Sequence, residues 1–361
     1  MNASKPERIL IVNTFGIGDV LFTTPLIRNI KENLPDCFLG YICNQRAKGV
    51  LINNPHIDKI MVFEKDYYRN LAKFSRLKAL KDFLKFLNRI RRERFDLAID
   101  LSLSGQVSFF LWLIGIKKRI GFNYKNRGRL LSQSIAIEGY EGKHVVEFYL
   151  ELLKFMGFKV VSQNLEIYLS PAENMWKEDF LKNNNISDED MVIAIIPGGG
   201  ASWGKDAGLK HWPAENFAKI ADKCIEKFKA KIIILGDYSD LNICNKVFEA
   251  TNGEVIQVCG RTDLRQFAAI LNRSNLVITN DGGPLHIAVA MGAKTVSIFG
   301  PVDERVYGPF SNDPVRHRVV KRFLDCRPCY QRFKMAECNN KRICLEGLSP
   351  DEVLRAVEDL I

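Results

Sequence analysis

The loop at Asp281–Pro284 combines residue types that can bind a phosphate and a sugar. The apolar run Asn275–Thr279 before it predicts a buried strand, and an Ala-rich helix is predicted directly after it. Gly282 and Gly283 would leave backbone N–H groups bare at the positive end of that helix dipole, which suits a phosphate. Asp281 could accept hydrogen bonds from sugar or ribose hydroxyls. An ordinary crossover turn with Asp281 as the helix N-cap explains the same residues equally well.

A second glycine-rich loop follows the predicted strand Val192–Ile196. Gly198, Gly199 and Gly200 would expose backbone N–H groups, and Lys210 downstream supplies a mobile positive charge. A diphosphate would find both kinds of partner here. A solvated loop with an ordinary lysine is the alternative.

Asp240 lies in the turn that follows the next predicted strand, Lys231–Leu235. Its carboxylate could hold a ribose, or it could cap the helix that follows.

The loop after the first predicted strand contains Gly16, Gly18 and Asp19. A dinucleotide fingerprint would need a small residue in place of Leu21 and an acid in place of Asn44, so a nicotinamide enzyme is not expected. Asp19 could be a general base at the carboxyl edge of a sheet, or it could merely cap its helix.

Strands and helices alternate twice along the chain, which predicts two doubly wound α/β domains with parallel sheets. We expect them to face each other across a cleft, with domains at 1–172 and 173–348 and a final helix at 349–361 that could pack back on the first. The predicted strands are Arg8–Asn13, Phe38–Cys43, Lys59–Phe63, Leu97–Leu101 and Arg119–Phe122, then Val192–Ile196, Lys231–Leu235, Val255–Val258, Leu276–Thr279 and Thr295–Phe299.

Composition indicates a globular protein with an anionic partner for its first half. The chain has 361 residues, of which 47% are hydrophobic, and no apolar run approaches the roughly 20 residues of a membrane span. A predicted strand occupies the place of a signal peptide, so we expect a cytoplasmic protein. Residues 1–175 contain 27 Lys and Arg against 17 Asp and Glu, and so carry the whole net charge of +10.

Four of the nine cysteines are clustered with C-x2-C-x8-C-x5-C spacing: Cys326, Cys329, Cys338 and Cys344. A zinc clip is one interpretation of such a cluster. The second pair is loosely spaced for a zinc ribbon, so we favour reduced structural thiols and no metal.

The segment Lys65–Arg94 is strongly basic, with 11 Lys and Arg against 3 Asp and Glu. Leucines recur in it at helical spacing, at 77, 80, 84 and 87, so an amphipathic helix could rest on anionic lipid or meet phosphates of an acceptor. Alternatively, the leucines pack on the sheet of a surface crossover helix. Lys125, Arg127 and Arg129 are a second candidate for acceptor phosphates. No nucleic-acid-binding motif accompanies the charge.

Several motifs together resemble glycosyltransferase family 9, the lipopolysaccharide heptosyltransferases. They are GxGD at Gly16–Asp19, K-x-W-P at Lys210–Pro213 and D-G-G-x-x-H at Asp281–His286. The resemblance implies a GT-B fold and inverting transfer of heptose from ADP-L-glycero-D-manno-heptose to an inner-core acceptor of the lipid A–Kdo type. It also implies an enzyme at the cytoplasmic face of the inner membrane, with no cofactor and no metal.

The resemblance also implies roles for single residues. Asp19 falls on the base that acts on the acceptor hydroxyl, with Gly16 and Gly18 beside it, and Lys210 falls on the lysine that neutralises the leaving diphosphate. The donor-binding positions that it implies are Asp240, Asp281, Gly282, Gly283 and His286, and the residues of the loop at Gly198, Gly199 and Gly200 add those three glycines. Another nucleotide-sugar donor, a GT-B sugar-nucleotide epimerase and a non-catalytic binding protein are the alternatives.

Overall fold

The computed structural model describes residues 6–361, which fold into two compact units. The first unit extends to Gly139 and includes Val146–Ser162. The second unit contains the short stretch Tyr140–Val145 and everything from Gln163 to Ile361.

The first unit is built on a six-stranded parallel sheet with the order β3-β2-β1-β4-β5-β6. Its strands are β1 Arg8–Val12, β2 Phe38–Cys43, β3 Lys59–Val62, β4 Leu97–Asp100, β5 Lys118–Tyr124 and β6 Gln133–Ile137. Its helices are α1 Ile17–Leu21, α2 Thr24–Asn33, α3 Gln45–Leu51, α4 Lys65–Phe74, α5 Arg76–Arg92, α6 Gly105–Leu113 and α7 Val145–Phe155.

The second unit repeats this topology with a sheet of order β12-β11-β10-β7-β8-β9, again all parallel. Its strands are β7 Val192–Ile196, β8 Lys231–Ile234, β9 Val255–Gln257, β10 Leu276–Asn280, β11 Lys294–Phe299 and β12 His317–Lys321, and a small hairpin pairs β13 Tyr330–Gln331 with β14 Lys334–Met335. Its helices are α8 Pro171–Asn183, α9 Ala214–Phe228, α10 Leu241–Ala250, α11 Leu264–Arg273, α12 Gly283–Ala290, α13 Glu304–Tyr307, α14 Ile343–Glu346 and α15 Pro350–Glu358. A 3₁₀ segment covers Ala201–Lys210 and is kinked at Gly204, where φ is 58°.

In both sheets the first strand of the unit lies in the middle, so the direction of the connections reverses beside β1 and beside β7. In open α/β sheets, ligands bind outside the carboxyl ends of the strands at such a reversal. This confirms the predicted fold class of two doubly wound α/β units. It also directs attention to the loops after β1 and β4, and after β7 and β10.

The structure contains two strands, and an interruption in one helix, that the sequence did not predict. Both missed strands, β6 and β12, are edge strands, and half-exposed edges lack the uninterrupted apolar run of a buried strand. The sequence pattern also predicts a single helix over Asp19–Asn33, but the helix is interrupted after Leu21. Pro25 has no N–H to offer the Leu21 carbonyl, which accepts the Thr24 hydroxyl instead at 2.8 Å.

The C-terminal helix α15 packs on the second unit. Val353, Val357 and Leu360 are buried in the hydrophobic core that surrounds Trp212 and Phe217. The apolar face of α15 is thus buried against the sheet of its own unit, and the domain bounds 1–172, 173–348 and 349–361 stay a prediction.

Candidate functional site

Loops from three neighbouring strands meet at the carboxyl edge of the second sheet. The Gly199 N–H donates to Asp240 Oδ1 at 3.1 Å, which joins the loop after β7 to the turn after β8. A Cβ placed on Gly282 would lie 3.5 Å from the Gly200 nitrogen, so the loop after β10 touches the same glycines. The structure thus brings together the glycine loops that the sequence singled out separately.

Buried polar contacts fix the glycine loop after β7. Asn280 Nδ2 donates to the Pro197 carbonyl at 2.7 Å, and its Oδ1 accepts the Trp212 N–H at 3.1 Å. A ring nitrogen of His211 lies 2.7 Å from the Gly199 carbonyl. Asn280 therefore ties β10 to two loops at once.

Gly198, Gly199 and Gly200 are required for two different steric reasons. Gly199 and Gly200 have φ of 96° and 80°, in the left-handed region that favours glycine. A Cβ on Gly198 would lie 2.2 Å from the carboxyl carbon of Asp240, so only glycine lets the two loops approach this closely.

Asp240 is buried, and its carboxylate accepts hydrogen bonds from two backbone N–H groups. Oδ1 accepts from Gly199, and Oδ2 accepts the Asp237 N–H at 3.2 Å. Burial raises the pKa of Asp240, and the hydrogen bond from Gly199 opposes that shift. The observed contacts position the loop, while the ribose contact of Asp240 stays a prediction.

Lys210 and Asp281 form a buried ion pair, with 2.5 Å between Nζ and Oδ2. The two residues are 7% and 3% exposed, so the charges compensate each other out of contact with bulk water. The Lys210 ammonium also lies 4.5 Å from the ring centre of Trp203, a cation–π distance. The pair anchors the 3₁₀ segment to the end of β10.

The first turn of α12 presents backbone N–H groups without a side-chain cap. Gly282 is the N-cap, it has no side chain to accept them, and Pro284 follows in the first turn. Asp281 is directed to Lys210 instead, so the alternative interpretation of Asp281 as the N-cap is wrong. The helix start keeps its capacity for an anion.

His286, on α12, is buried rather than placed in the loop. Burial lowers the pKa of His286 well below its ordinary value, and nearby His144 and Lys210 lower it further. Burial likewise lowers the pKa of His144 to about 4, although its ring contacts the Gly308 carbonyl at 3.1 Å. Both imidazoles are neutral at physiological pH, and the donor contact of His286 stays a prediction.

A cysteine-containing segment at 323–346 braces the 3₁₀ helix. The Arg342 guanidinium donates to the carbonyls of Gly208 and His211, at 2.5 and 3.0 Å, and the Tyr330 ring lies 4.9 Å from Trp203. The nine cysteines are free, with Cys326 exposed and Cys344 buried. Within residues 6–361, no group of three or more His, Cys, Asp or Glu is arranged to hold a metal ion. That the clustered cysteines are reduced structural thiols stays a prediction.

Asp19 lies in the first turn of α1, directly after β1. Its Oδ2 accepts the Gly16 N–H at 3.2 Å, and Asn13 Nδ2 donates to its carbonyl at 3.1 Å. The side chain is half-buried. The contact to Gly16 is a helix-capping contact, which is the alternative to a catalytic role. The role of Asp19 as a general base stays a prediction.

Three cations follow β5 at the carboxyl edge of the first sheet. Lys125, Arg127 and Arg129 are exposed, and the first two lie 4.9 and 5.6 Å from the ring of Tyr124. A Cβ on Gly105 would lie 3.3 Å from the Arg127 carbonyl, so the loop lies against the start of α6. The predicted acceptor cations are therefore on the edge where ligands bind in this fold.

Comparison with known proteins settles the family. The family model for glycosyltransferase family 9 (heptosyltransferase) matches residues 83–340. This chain belongs to glycosyltransferase family 9. Lipopolysaccharide heptosyltransferase 3 of Escherichia coli K12 is 23% identical over 351 residues, which is 95% of each chain.

Solved structures agree with the GT-B fold of this family 9 glycosyltransferase. A family 9 glycosyltransferase from Veillonella parvula superposes with a TM-score of 0.83, at 24% identity over 99% of both chains. The E. coli ADP-heptose lipopolysaccharide heptosyltransferase II gives 0.74, at 20% identity over 98% of both chains. In the described part of this enzyme, no helix is long and apolar enough to cross a membrane.

Some residues of the glycosyltransferase site carried a weak sequence signal. Asn280 was visible only as a polar residue that ends an apolar strand, and Trp203 as an aromatic residue inside a glycine-rich loop. Arg342 is distant in sequence from the loop whose carbonyls it binds, so no local pattern could have assigned it.

Proposed function

We propose that this enzyme transfers heptose, with inversion, from ADP-L-glycero-D-manno-heptose to a lipopolysaccharide inner-core acceptor of the lipid A–Kdo type. Its relatives support this by name: one is a lipopolysaccharide heptosyltransferase, and a similar structure is an ADP-heptose lipopolysaccharide heptosyltransferase. The single observation that supports it best is the buried Lys210 beside the uncapped start of α12.

In this proposal the donor diphosphate binds at the first turn of α12. The Gly283 N–H and the Lys210 ammonium supply the hydrogen bonds and positive charge, since Pro284 has no N–H and the Leu285 N–H donates to the Gly282 carbonyl at 3.1 Å. Because Asp281 already balances Lys210, the site is close to neutral before the donor arrives. The arriving diphosphate then shares the ammonium with Asp281.

The proposed transfer is a single displacement. Asp19 accepts the proton of the acceptor hydroxyl, whose oxygen forms a bond to the anomeric carbon of the heptose. The bond from that carbon to the β-phosphate oxygen breaks on the opposite face, and ADP leaves with the electron pair. Lys210 and the helix start stabilise the charge that develops on the leaving diphosphate. The proposal includes no metal ion and no cofactor.

The acceptor is an anionic molecule in this proposal. Lys125, Arg127 and Arg129 are exposed beside the carboxyl end of β5, and flexible cations of this kind suit phosphate groups. The excess positive charge of residues 1–175 adds long-range attraction for such an acceptor.

The variant Asp19→Asn tests the base directly. Asparagine keeps an oxygen for the Gly16 N–H but cannot accept a proton, so the turn is preserved while general-base catalysis is lost. We expect the transfer rate to fall by a factor of about 10² to 10⁴, while calorimetry gives an ADP affinity close to that of the wild type. Exposed Asp36→Asn is the control. Turnover near the wild-type level in Asp19→Asn would rule out Asp19 as the base.

Lys210→Ala tests the donor side. We expect weaker ADP binding and slower transfer together, because the cation that meets the diphosphate is lost. This change leaves the buried Asp281 carboxylate unpaired, which also destabilises the fold. The double variant Lys210→Ala/Asp281→Asn removes both charges, so that a loss of ADP binding in it is not caused by the unpaired carboxylate. Lys205→Ala, an exposed lysine of the same segment, is the control. Unchanged ADP affinity in the folded double variant would remove Lys210 from the donor site.

A further inference from the structure

The helix α5 exposes a second apolar side that the first unit does not bury. Phe74, at the end of α4, is 89% exposed, and Leu77, Leu80 and Leu84 on α5 are 79%, 53% and 51% exposed. We call these four residues the leucine face. A surface helix of a globular protein normally turns charged or polar residues to this side.

A different set of side chains attaches α5 to the sheet. Ala79, Leu87 and Ile90 are buried, and Phe83 and Phe86 pack against the core beneath β1 and β4. The sequence interpretation in which the leucines at 77, 80 and 84 pack on the sheet is therefore wrong, because the phenylalanines occupy that position. The leucine face is therefore left exposed on the surface of the unit.

Positive charge surrounds the leucine face. The exposed cations of α4 and α5 include Lys73, Arg76, Lys78, Lys81, Lys85 and Arg89. The ion pairs described in this segment join Arg69 to Asp66 at 3.0 Å and Lys85 to Asp82 at 3.4 Å, both at the surface, where such pairs are weak. Apolar side chains flanked by Lys and Arg characterise helices that lie in an anionic membrane interface.

The neighbouring helix α6 extends the apolar surface. Phe109, Trp112 and Leu113 are 41%, 51% and 52% exposed. Phe110 of α6 stacks edge-on with Phe83 of α5 at 4.7 Å between ring centres, so the two helices are in contact. Tryptophan is a preferred residue at the interface between lipid and water.

We propose that the leucine face, together with the exposed residues of α6, docks this protein on an anionic phospholipid bilayer. The leucines and aromatic rings enter the interfacial layer, and the flanking lysines and arginines meet the lipid phosphates. Nucleic acid would match the cations but would leave the leucine face in water. The interaction depends on a surface of the first unit and not on the transfer reaction.

Vesicle flotation with the full chain tests the proposal. The probes are vesicles of phosphatidylcholine alone and vesicles that also contain phosphatidylglycerol. We expect the wild type to float with the anionic vesicles and only weakly with the neutral ones. The variant Leu77→Ser/Leu80→Ser/Leu84→Ser should bind anionic vesicles about tenfold less, because it removes the apolar anchor but none of the charge.

Two further variants test the contribution of charge and whether the effect is confined to the surface formed by α5. Lys78→Gln/Lys81→Gln should also lose about tenfold, since each lysine near an anionic surface adds to binding. Met175→Ser removes an apolar side chain that is 65% exposed on α8 of the second unit, and it should bind as the wild type does. Thermal unfolding of each variant checks that it is folded.

The emission of Trp112 reports whether α6 takes part. Anionic vesicles should shift the wild-type tryptophan emission to shorter wavelength, and Trp112→Phe should abolish the shift. A shift that persists in Trp112→Phe would remove α6 from the docking surface.

Several results would overturn the proposal as a whole. They are equal binding to neutral and anionic vesicles, wild-type binding by the triple serine variant, and no vesicle binding at all. A wild-type dimer that the triple serine variant converts to a monomer would also overturn it, because the leucine face would then be an interface between copies.

Discussion

At the scale of single residues, the site depends on close approaches that leave no room for a side chain. Gly198 lies where a Cβ would overlap the carboxyl group of Asp240, and that carboxylate holds the Gly199 N–H. The conformation of the loop after β7 therefore depends on a residue that has no functional group of its own.

Gly198→Ala should therefore weaken donor binding by distorting the contact between this loop and Asp240. The methyl group must displace Asp240 and with it the Gly199 N–H, so we expect ADP affinity to fall about tenfold, equivalent to about 1.4 kcal/mol. Gly208→Ala is the matched control, since a Cβ there meets nothing within 4 Å. Calorimetric titration of ADP measures both, and equal affinities in the two variants would show that the loop tolerates the change.

Residue types and spacing predicted the two glycine loops, Lys210 and Asp281, but not the contact between them. The sequence placed Lys210 and Asp281 on separate loops, and only the strand order β10-β7-β8 makes those loops neighbours. Contacts that depend on strand order cannot be derived from local patterns, and the same holds for Arg342 and the carbonyl of Gly208.

At the scale of elements, an ion pair with a buried arginine joins α11 to α8 in the second unit. Arg265 on α11 is 6% exposed and binds both carboxylate oxygens of Glu173 on α8, each at 2.8 Å, and it also donates to the Tyr168 carbonyl. The hydrogen bonds from Arg265 outweigh the effect of burial and lower the pKa of Glu173 to about 2.

Arg265→Ala should therefore destabilise the second unit by about 3 kcal/mol, because it leaves the Glu173 carboxylate without its partner. The loss should be greatest near neutral pH and smaller in acid, since the depressed pKa of Glu173 gives stability that disappears as the pH falls towards 2. Thermal unfolding measures the effect, and exposed Arg261→Ala is the control. Equal unfolding temperatures for the two variants at pH 7 would contradict it.

Buried elements were predictable from the sequence, and surface elements were less so. The strands β2 and β7 and the helix α9 have the predicted ends because apolar runs or periodic stripes define them. The edge strands β6 and β12 lack such runs. On α5, one apolar stripe contains the exposed leucines and the other contains Phe83 and Phe86. Helical periodicity alone does not decide which of the two packs on the sheet.

At the scale of the whole molecule, the chain carries its excess positive charge in residues 1–175, and it carries the Lys210–Asp281 ion pair and the uncapped start of α12 in the second unit. This division supports our proposal that the neutral second half binds the nucleotide sugar and the basic first half binds an anionic acceptor. Family membership follows from the match over residues 83–340, whereas the donor and acceptor are our proposal.

The central claim is transfer of heptose from ADP-heptose to a lipid A–Kdo acceptor. The most direct measurement incubates the purified full chain with ADP-L-glycero-D-manno-heptose and that acceptor, and follows the acceptor by mass spectrometry and the new linkage by NMR. We expect an acceptor that is heavier by one heptose, with inverted configuration at the anomeric carbon and stoichiometric release of ADP. An unmodified acceptor in this mixture, with transfer from a UDP- or GDP-sugar under the same conditions, would contradict it.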